Sequence, residues 1–380
     1  MAMAQIVILG GGFGGLSAVA ELAPAARAGH QVVLIDRKDR FFMGLRKLWV
    51  LVGREGYGAG ARSLDGVRRH GASWLQAELV AIDPHGRRVR TTEGELRWDF
   101  LIVALGAELR PDLVPGFWHA LNLYDAAEVE RRAPEVLNIR TGRVVVGIFG
   151  VPYKCPPAPY EAAMLLDDHF RRVGVRDQVE LVAFTPQPAS LPVAGPAGCA
   201  SLEGWLAERG IRFEPLRRAK HIEPHAVVFE NGSLEFDLLF GVPPHRPPRV
   251  IEASGLSTDG GWIRPDPATL RTSFEGVFAV GDVTEIPLAN GMPLPKAGVF
   301  AEVQGRVAAR HILHALGLGP EPEPFDGIGY CFIEVGGGKA AKVVGRFLER
   351  PAPAVEIAPP DEQTLLEKRA FERERLEAWL

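Results

Sequence analysis

Cysteine has the widest chemical reach in this sequence, because a thiolate is at once a nucleophile, a metal ligand and half of a two-electron redox pair. Three occur in 380 residues: Cys155, Cys199 and Cys331. Three are too few for a disulfide scaffold, and no two are spaced as a CxxC metal or redox motif. One catalytic disulfide in an intracellular protein stays open. Their neighbours differ. Cys199 lies in CASLEGWLAERG, a helical pattern ending at Gly210, and reads as a small buried hydrophobe. Cys155 is followed by Pro156 and Pro157, an awkward setting for a packing role, and reads as a redox group. Cys331, in GIGYCFIEVGGG, reads either way by itself, and a separation of 176 positions from Cys155 places it beside nothing. His311 and His314 have a metal-compatible spacing but no acid or thiol nearby, so a solvated helix face is expected and no metal site. Gly336-Gly337-Gly338-Lys339 lacks the upstream glycine and the Ser or Thr of a phosphate loop.

The elements that would position these groups begin at the N-terminus. IVIL (6–9) is a short apolar run, as in a strand buried on both faces. Gly10-Gly11-Gly12-Phe13-Gly14-Gly15 follows and contains GxGxxG. A helical stretch interrupted by Pro24 leads to QVVLID, which ends at Asp36. This is the strand, turn, helix, strand and acid of a dinucleotide-binding unit. Gly10 permits the tight turn, Gly12 lets a pyrophosphate approach the backbone, and Gly15 lets the helix pack on the strand. The helix N-terminus faces the phosphates, and Asp36 can accept from a ribose. DFLIVALGA (99–107) and TSFEGVFAVGDV (272–283) are two more apolar strands, closing on small residues and on Gly281-Asp282. Asp282 alone could be a helix cap. A second strand and turn, RVVVGIFG (143–150), runs into VPYKCPPAPYE. Prolines stiffen that turn and remove amide donors, so NAD(P)H is not expected to bind there in the usual way. The helix EAAMLLDDHFRRVG and the strand VELVAF follow.

The first three segments together resemble the FAD signature of glutathione-reductase-like flavoproteins. That resemblance implies an α/β fold of two Rossmann-like three-layer dinucleotide-binding domains with a small C-terminal α+β domain. The expected domains are 1–112 with 250–318 for FAD, 113–249 for the second unit, and 319–380. The expected cofactor contacts are Gly10, Gly12, Phe13, Gly14, Gly15, Asp36, Arg37, Ala104, Gly106, Gly281, Asp282, Lys296 and Ala297, with Asp282 on the ribityl chain.

VPYKCPPAPYEAAMLLD, Tyr330-Cys331-Phe332, PLPKAGVFAEVQG, NLYDAAEVE and GVPPHRPP are similar to segments of sulfide:quinone oxidoreductases and of the flavoprotein subunit of flavocytochrome c sulfide dehydrogenase. What this implies is a Cys155–Cys331 disulfide beside the flavin. Sulfide would open it to a persulfide and a thiolate, and Cys331 would pass two electrons to the flavin. Glu161 would accept a proton, although a carboxylate there could simply favour the helix start. Lys296 would stabilise charge on the reduced flavin, although it could be a surface lysine. The acceptor would be a quinone or a cytochrome. RKDRFFMGLRKLW lacks the cysteine by which some relatives bind FAD covalently, so non-covalent FAD is expected. GAELRPDLVPG lacks the third cysteine of others, so a two-cysteine mechanism is expected. The alternatives are a type II NADH:quinone oxidoreductase, which needs the missing glycine loop, and a non-catalytic FAD electron-relay subunit with a cytochrome partner.

The bulk composition limits the partners. Lys and Arg number 43 against 47 Asp and Glu, a net charge of −4, without the basic footprint of a nucleic-acid binder. No run of eighteen apolar residues predicts a membrane-spanning helix. MAMAQIVILGGG shows no signal peptide, so a cytoplasmic chain is expected, at most peripheral on the inner face of a membrane. In the tail DEQTLLEKRAFERERLEAWL, Leu366, Ala370, Leu376 and Leu380 form a patchy apolar stripe. It reads as a solvated helix, a homodimer contact or a weak interfacial anchor.

Overall fold

The computed structural model describes residues 3–257 and 261–380. The strand Gln5–Leu9 is the centre of a five-stranded parallel sheet. The sheet runs Val277–Ala279, Phe100–Val103, Gln5–Leu9, Gln31–Asp36, Ser73–Gln76. Successive residues of the central strand are all apolar because both faces are covered. Ile6 and Ile8 face a core with Leu16 and Val19 of the helix Phe13–Glu21 and Val307 and Ile312 of the helix Gly298–Ala315. Val7 and Leu9 face Ile82 and Val89 of an antiparallel ribbon, Leu79–Asp83, Arg88–Thr91 and Gly94–Arg97. Helix, sheet and ribbon make three layers. The first helix stops before Leu22, and a short turn of helix, Ala23–Arg27, carries Pro24 in its first turn, where a missing N–H costs nothing.

The plan is repeated. A second parallel sheet runs Leu121–Asn122, Leu238–Val242, Gly142–Ile148, Val179–Phe184, Ile211–Glu214. Val144, Val146 and Ile148 pack with the helix Ala158–Arg172, while Val145 and Val182 pack against Val227 and Phe229 of a second ribbon. The glutathione-reductase-like α/β fold expected from the sequence is therefore the one observed.

The C-terminal segment is an antiparallel sheet, Ile328–Gly336, Lys339–Arg346 and Ala354–Ile357, followed by the helix Glu362–Trp379. Asp361 caps that helix by accepting from the Thr364 N–H at 2.6 Å. The tail differs from its reading as a surface element. Its buried face is Thr364, Leu365, Lys368, Phe371, Glu372, Leu376 and Trp379, whereas Leu366 is 57% exposed. Two charged residues occupy core positions, and they hide the apolar periodicity. Phe371 and Trp379 close an aromatic cluster around Phe13, with centroids 6.2 and 5.3 Å away, and Trp379 also meets Phe41 at 5.9 Å. Among the described residues no helix is long and apolar enough to cross a membrane.

Candidate active site

The expected cofactor residues gather at the carboxyl ends of the first sheet, where open α/β sheets bind ligands. Gly10 has φ +104°, and a Cβ there would run into the Ala104 carbonyl. At Gly12, immediately before the first helix, nothing lies within 4 Å of an added Cβ, so the backbone is open to a phosphate. Asp36 accepts from the Gly11 and Lys38 amides at 2.6 and 2.8 Å, which ties the acid to the turn. Arg37 is exposed and 3.9 Å from Glu78. Gly106, with φ +68°, lies in the turn after the strand Phe100–Val103. The Gly281 N–H donates to Gln304 Oε1 at 2.7 Å. Asp282 follows in the short helix Gly281–Val283, where burial raises its carboxyl. Ala297 caps the helix Gly298–Ala315. Open backbone amides at a helix N-terminus and a carboxyl just after the strand Val277–Ala279 fit the phosphates and polyol chain of FAD.

Lys296 is not a surface lysine: it is buried. Its Nζ donates to the Asp282 and Thr284 carbonyls at 2.7 and 3.0 Å and sits 3.4 Å from the Trp262 ring centroid. Burial lowers it to about 8. Its own carbonyl accepts from the Cys155 N–H at 2.7 Å, stapling the cysteine loop to the FAD unit.

Cys155 precedes the helix Ala158–Arg172, and its carbonyl accepts from the Ala158 N–H at 3.0 Å. Its φ is +50°, a left-handed conformation that costs a non-glycine residue about 1 kcal/mol or more and is held only by its surroundings. Tyr124 supplies part of that hold, its hydroxyl donating towards the Lys154 and Cys155 carbonyls at 2.8 and 3.2 Å. The side chain is exposed at a cleft. The cleft's walls strip water from the thiol and, with Glu161 nearby, push it up to about 11, against the pull of Lys47 and Lys368. Cys331 comes from a distant element, the strand Ile328–Gly336, opposite Val343. Burial raises its thiol, and Cys155 and Glu161 add to the rise. Glu161 thus acts electrostatically on both thiols, and Cys155 acts on Cys331. All three cysteines are free thiols in this structure, so the Cys155–Cys331 bond expected from the resemblance is not formed here. Cys199 is buried in the core of the second unit, as read from the sequence.

Glu161 does lie in the first turn of its helix, as the bland reading had it, yet it is only 4% exposed. Burial raises it to about 7 against the pull of Lys368. Lys368 of the terminal helix, 1% exposed, donates to Glu161 and, at 3.3 Å, to Glu334. Glu334 also accepts from Trp49 Nε1 at 2.7 Å and from Arg54. Sequence reasoning missed this buried network. Its one local signal is a lysine lodged between Leu365 and Phe371 on a helical face.

Cations gather on the Cys155 side. Lys47, 4.3 Å from the Tyr124 ring centroid, is lowered to about 7 by burial and by Lys154. Burial lowers Lys154 as well. His245, fully buried and edge-on to Tyr124, is pushed down to about 3 and is neutral. None of these was singled out from the sequence. The turn after the second unit's first strand offers no phosphate cradle. Phe149 packs against Phe117 and Phe184 with centroids 5.5 and 5.3 Å away, and a Cβ on Gly150 would press on Pro244 at 2.9 Å. His311 departs from its expected solvated face: it is buried and stacked on Phe278, and burial lowers it. Among the described residues no cluster of three or more His, Cys, Asp or Glu could hold a metal.

Comparison with known proteins bears on the family and the fold. The family described as pyridine nucleotide-disulphide oxidoreductase matches residues 4–305. A mitochondrial sulfide:quinone oxidoreductase of Dictyostelium discoideum is 28% identical over 349 residues, covering 87% of this chain and 75% of that protein. A type II NADH:quinone oxidoreductase of Staphylococcus aureus is 22% identical, covering 92% and 94%. The crystal structure of the sulfide:quinone oxidoreductase of Aquifex aeolicus superposes with a TM-score of 0.86 at 21% identity, over 98% of this chain and 90% of that one, a likeness of fold. With the family matched over most of its length and a cradle shaped for the cofactor, the chain belongs to the pyridine nucleotide-disulphide oxidoreductase family and is an FAD-dependent oxidoreductase.

Proposed function

We propose that this enzyme oxidises sulfide through Cys155 and Cys331 and delivers the electrons to a quinone. The observation that supports the reading is that two cysteines from separate elements both feel the charge of one buried carboxyl, Glu161. Similarity to proteins named sulfide:quinone oxidoreductases supports the substrate and the acceptor. A quinone is lipid-borne, so the reading includes contact with a membrane surface.

In the oxidised state the two sulfurs form a disulfide. Hydrosulfide attacks the exposed sulfur, that of Cys155; the S–S bond breaks, leaving a Cys155 persulfide and a Cys331 thiolate. A second hydrosulfide removes the outer sulfur as HSS⁻ and leaves a thiol and a thiolate. Re-forming the disulfide releases two electrons and the one remaining proton. The balance is 2 HS⁻ → HSS⁻ + H⁺ + 2 e⁻. Bound FAD supplies the two-electron sink. Lys47 and Lys154 favour the approach of an anion, and Glu161 takes a proton from the cysteine pair. Tyr124 and the Lys296 carbonyl hold the Cys155 loop in place.

Anaerobic mixing tests this. Sulfide should bleach the flavin of the wild type, NADH should not, and Cys155→Ser and Cys331→Ser should each abolish rapid bleaching. Bleaching of Cys155→Ser as fast as the wild type would overturn the mechanism.

A further inference from the structure

The terminal helix carries a buried lysine into contact with Glu161. Lys368 bridges Glu161 and Glu334, and both carboxylates are buried with it. Glu334 has its own cation: Arg54 donates to it and, at 2.5 Å, to Asp168, which in turn accepts from the Gly337 N–H at 2.6 Å. The other cations near Lys368 are Arg46 and Arg369, which lie over the Trp49 ring that Lys368 also faces at 5.3 Å. Arg46 is committed to Glu372 and Glu55. Glu161 raises the thiols of both Cys155 and Cys331 through its charge. Among the described residues, then, Lys368 is the one cation in contact with Glu161.

Counting charge along this chain of contacts gives Glu161, Glu334 and Asp168 against Lys368 and Arg54. The set is neutral with one proton on Glu161 and carries a single negative charge without it. A buried net charge is costly, so the set has a seat for one proton next to the cysteines. Without Lys368, Glu161 would stand beside Glu334 in apolar surroundings with no cation in contact, and it would hold its proton to higher pH.

We propose that Lys368 is a positioning residue that holds Glu161 ready to take the proton released by the cysteine pair, which makes the terminal helix part of the active site. This rests on the two-cysteine reading above. In that reading, disulfide formation sheds a proton beside Glu161, and the deprotonated, Lys368-paired carboxylate receives it.

The holoenzyme, Lys368→Met, Lys368→Arg and Glu334→Gln test this by two readouts. The first is the infrared carbonyl stretch of protonated Glu161, assigned by its loss in Glu161→Gln and titrated without substrate. Its midpoint should rise by about 1–3 pH units in Lys368→Met, the effect of removing an adjacent opposite charge. It should stay near the wild-type value in Lys368→Arg and fall in Glu334→Gln, which removes a neighbouring negative charge. The second readout is the pH profile of flavin bleaching at constant hydrosulfide, which should move the same way. If Lys368→Met fails to fold, the fall in Glu334→Gln and the retention in Lys368→Arg carry the test. An unmoved infrared midpoint in folded Lys368→Met or in Glu334→Gln overturns the proposal. If sulfide bleaches no variant and not the wild type, the functional reading fails, while the infrared titration still decides the role of Lys368.

Discussion

Glu161→Gln is the sharpest perturbation of the proposed chemistry. Glutamine keeps the size of the side chain and an oxygen for Lys368, and removes only the proton site. Burial raises the wild-type carboxyl to about 7, with Lys368 opposing and Glu334 reinforcing the rise. The base-competent form is the ionised one, so activity should increase as pH rises. Between about pH 6 and about pH 8 the ionised fraction climbs from roughly one-eleventh to roughly ten-elevenths, about a tenfold gain in the rate. The variant should lose that limb and run about 10²- to 10⁴-fold slower at the upper end. Anaerobic stopped-flow absorbance of the flavin reads this directly, with hydrosulfide held constant at each pH so that its own ionisation drops out. The stability signature is independent. A carboxyl raised above its ordinary 4.5 favours folding most when protonated, and that contribution is lost as pH rises through about 7. The stability of Glu161→Gln should therefore improve relative to the wild type as pH increases from about 4.5 to about 7. A variant with the wild-type rate profile, or a stability difference that ignores pH, would refute the assignment of Glu161 as the proton acceptor.

Trp379→Ala should destabilise the protein by about 3–5 kcal/mol, because a buried ring packed edge-on against Phe13 and Phe41 leaves a cavity. Denaturant unfolding measures it, and a cost under about 1 kcal/mol would show that the helix end is not docked. Alkylation of the reduced protein followed by peptide mass spectrometry should label exposed Cys155 before buried Cys199, with a rate still climbing towards pH of about 11. Equal labelling of the two would contradict the placement of the cleft.

The dinucleotide unit was legible because its determinants are local. A glycine that must adopt φ +104° sits in the turn between two apolar runs, and each run is continuous because both sheet faces are covered. The repeat of the plan in the second unit, and the prolines that replace its phosphate loop, could be read from the same local patterns. Asp36 could be placed at a strand end, though not its engagement by the Gly11 and Lys38 amides. Lys296 could be noticed, though not its burial against Trp262.

The terminal helix shows the limit most plainly. Its composition marked it as a polar tail, since Lys368 and Glu372 look like solvated charges when counted along the chain. Folding puts them on the buried face with Phe371 and Trp379. A charge is tolerated in the interior only where its partner is already waiting, and the partners here, Glu161, Glu334 and Arg46, come from elements far away in sequence. So the amino-acid sequence by itself determined the two sheets, the glycine turn of the cofactor cradle and the unusual setting of Cys155, all of which depend on near neighbours and periodicity, whereas Cys331 was singled out through the family resemblance. Tertiary structure decided which charges meet and how strongly water is excluded from them, and thus which carboxyl can hold a proton at neutral pH. Those quantities depend on separation in space, which chain distance does not encode.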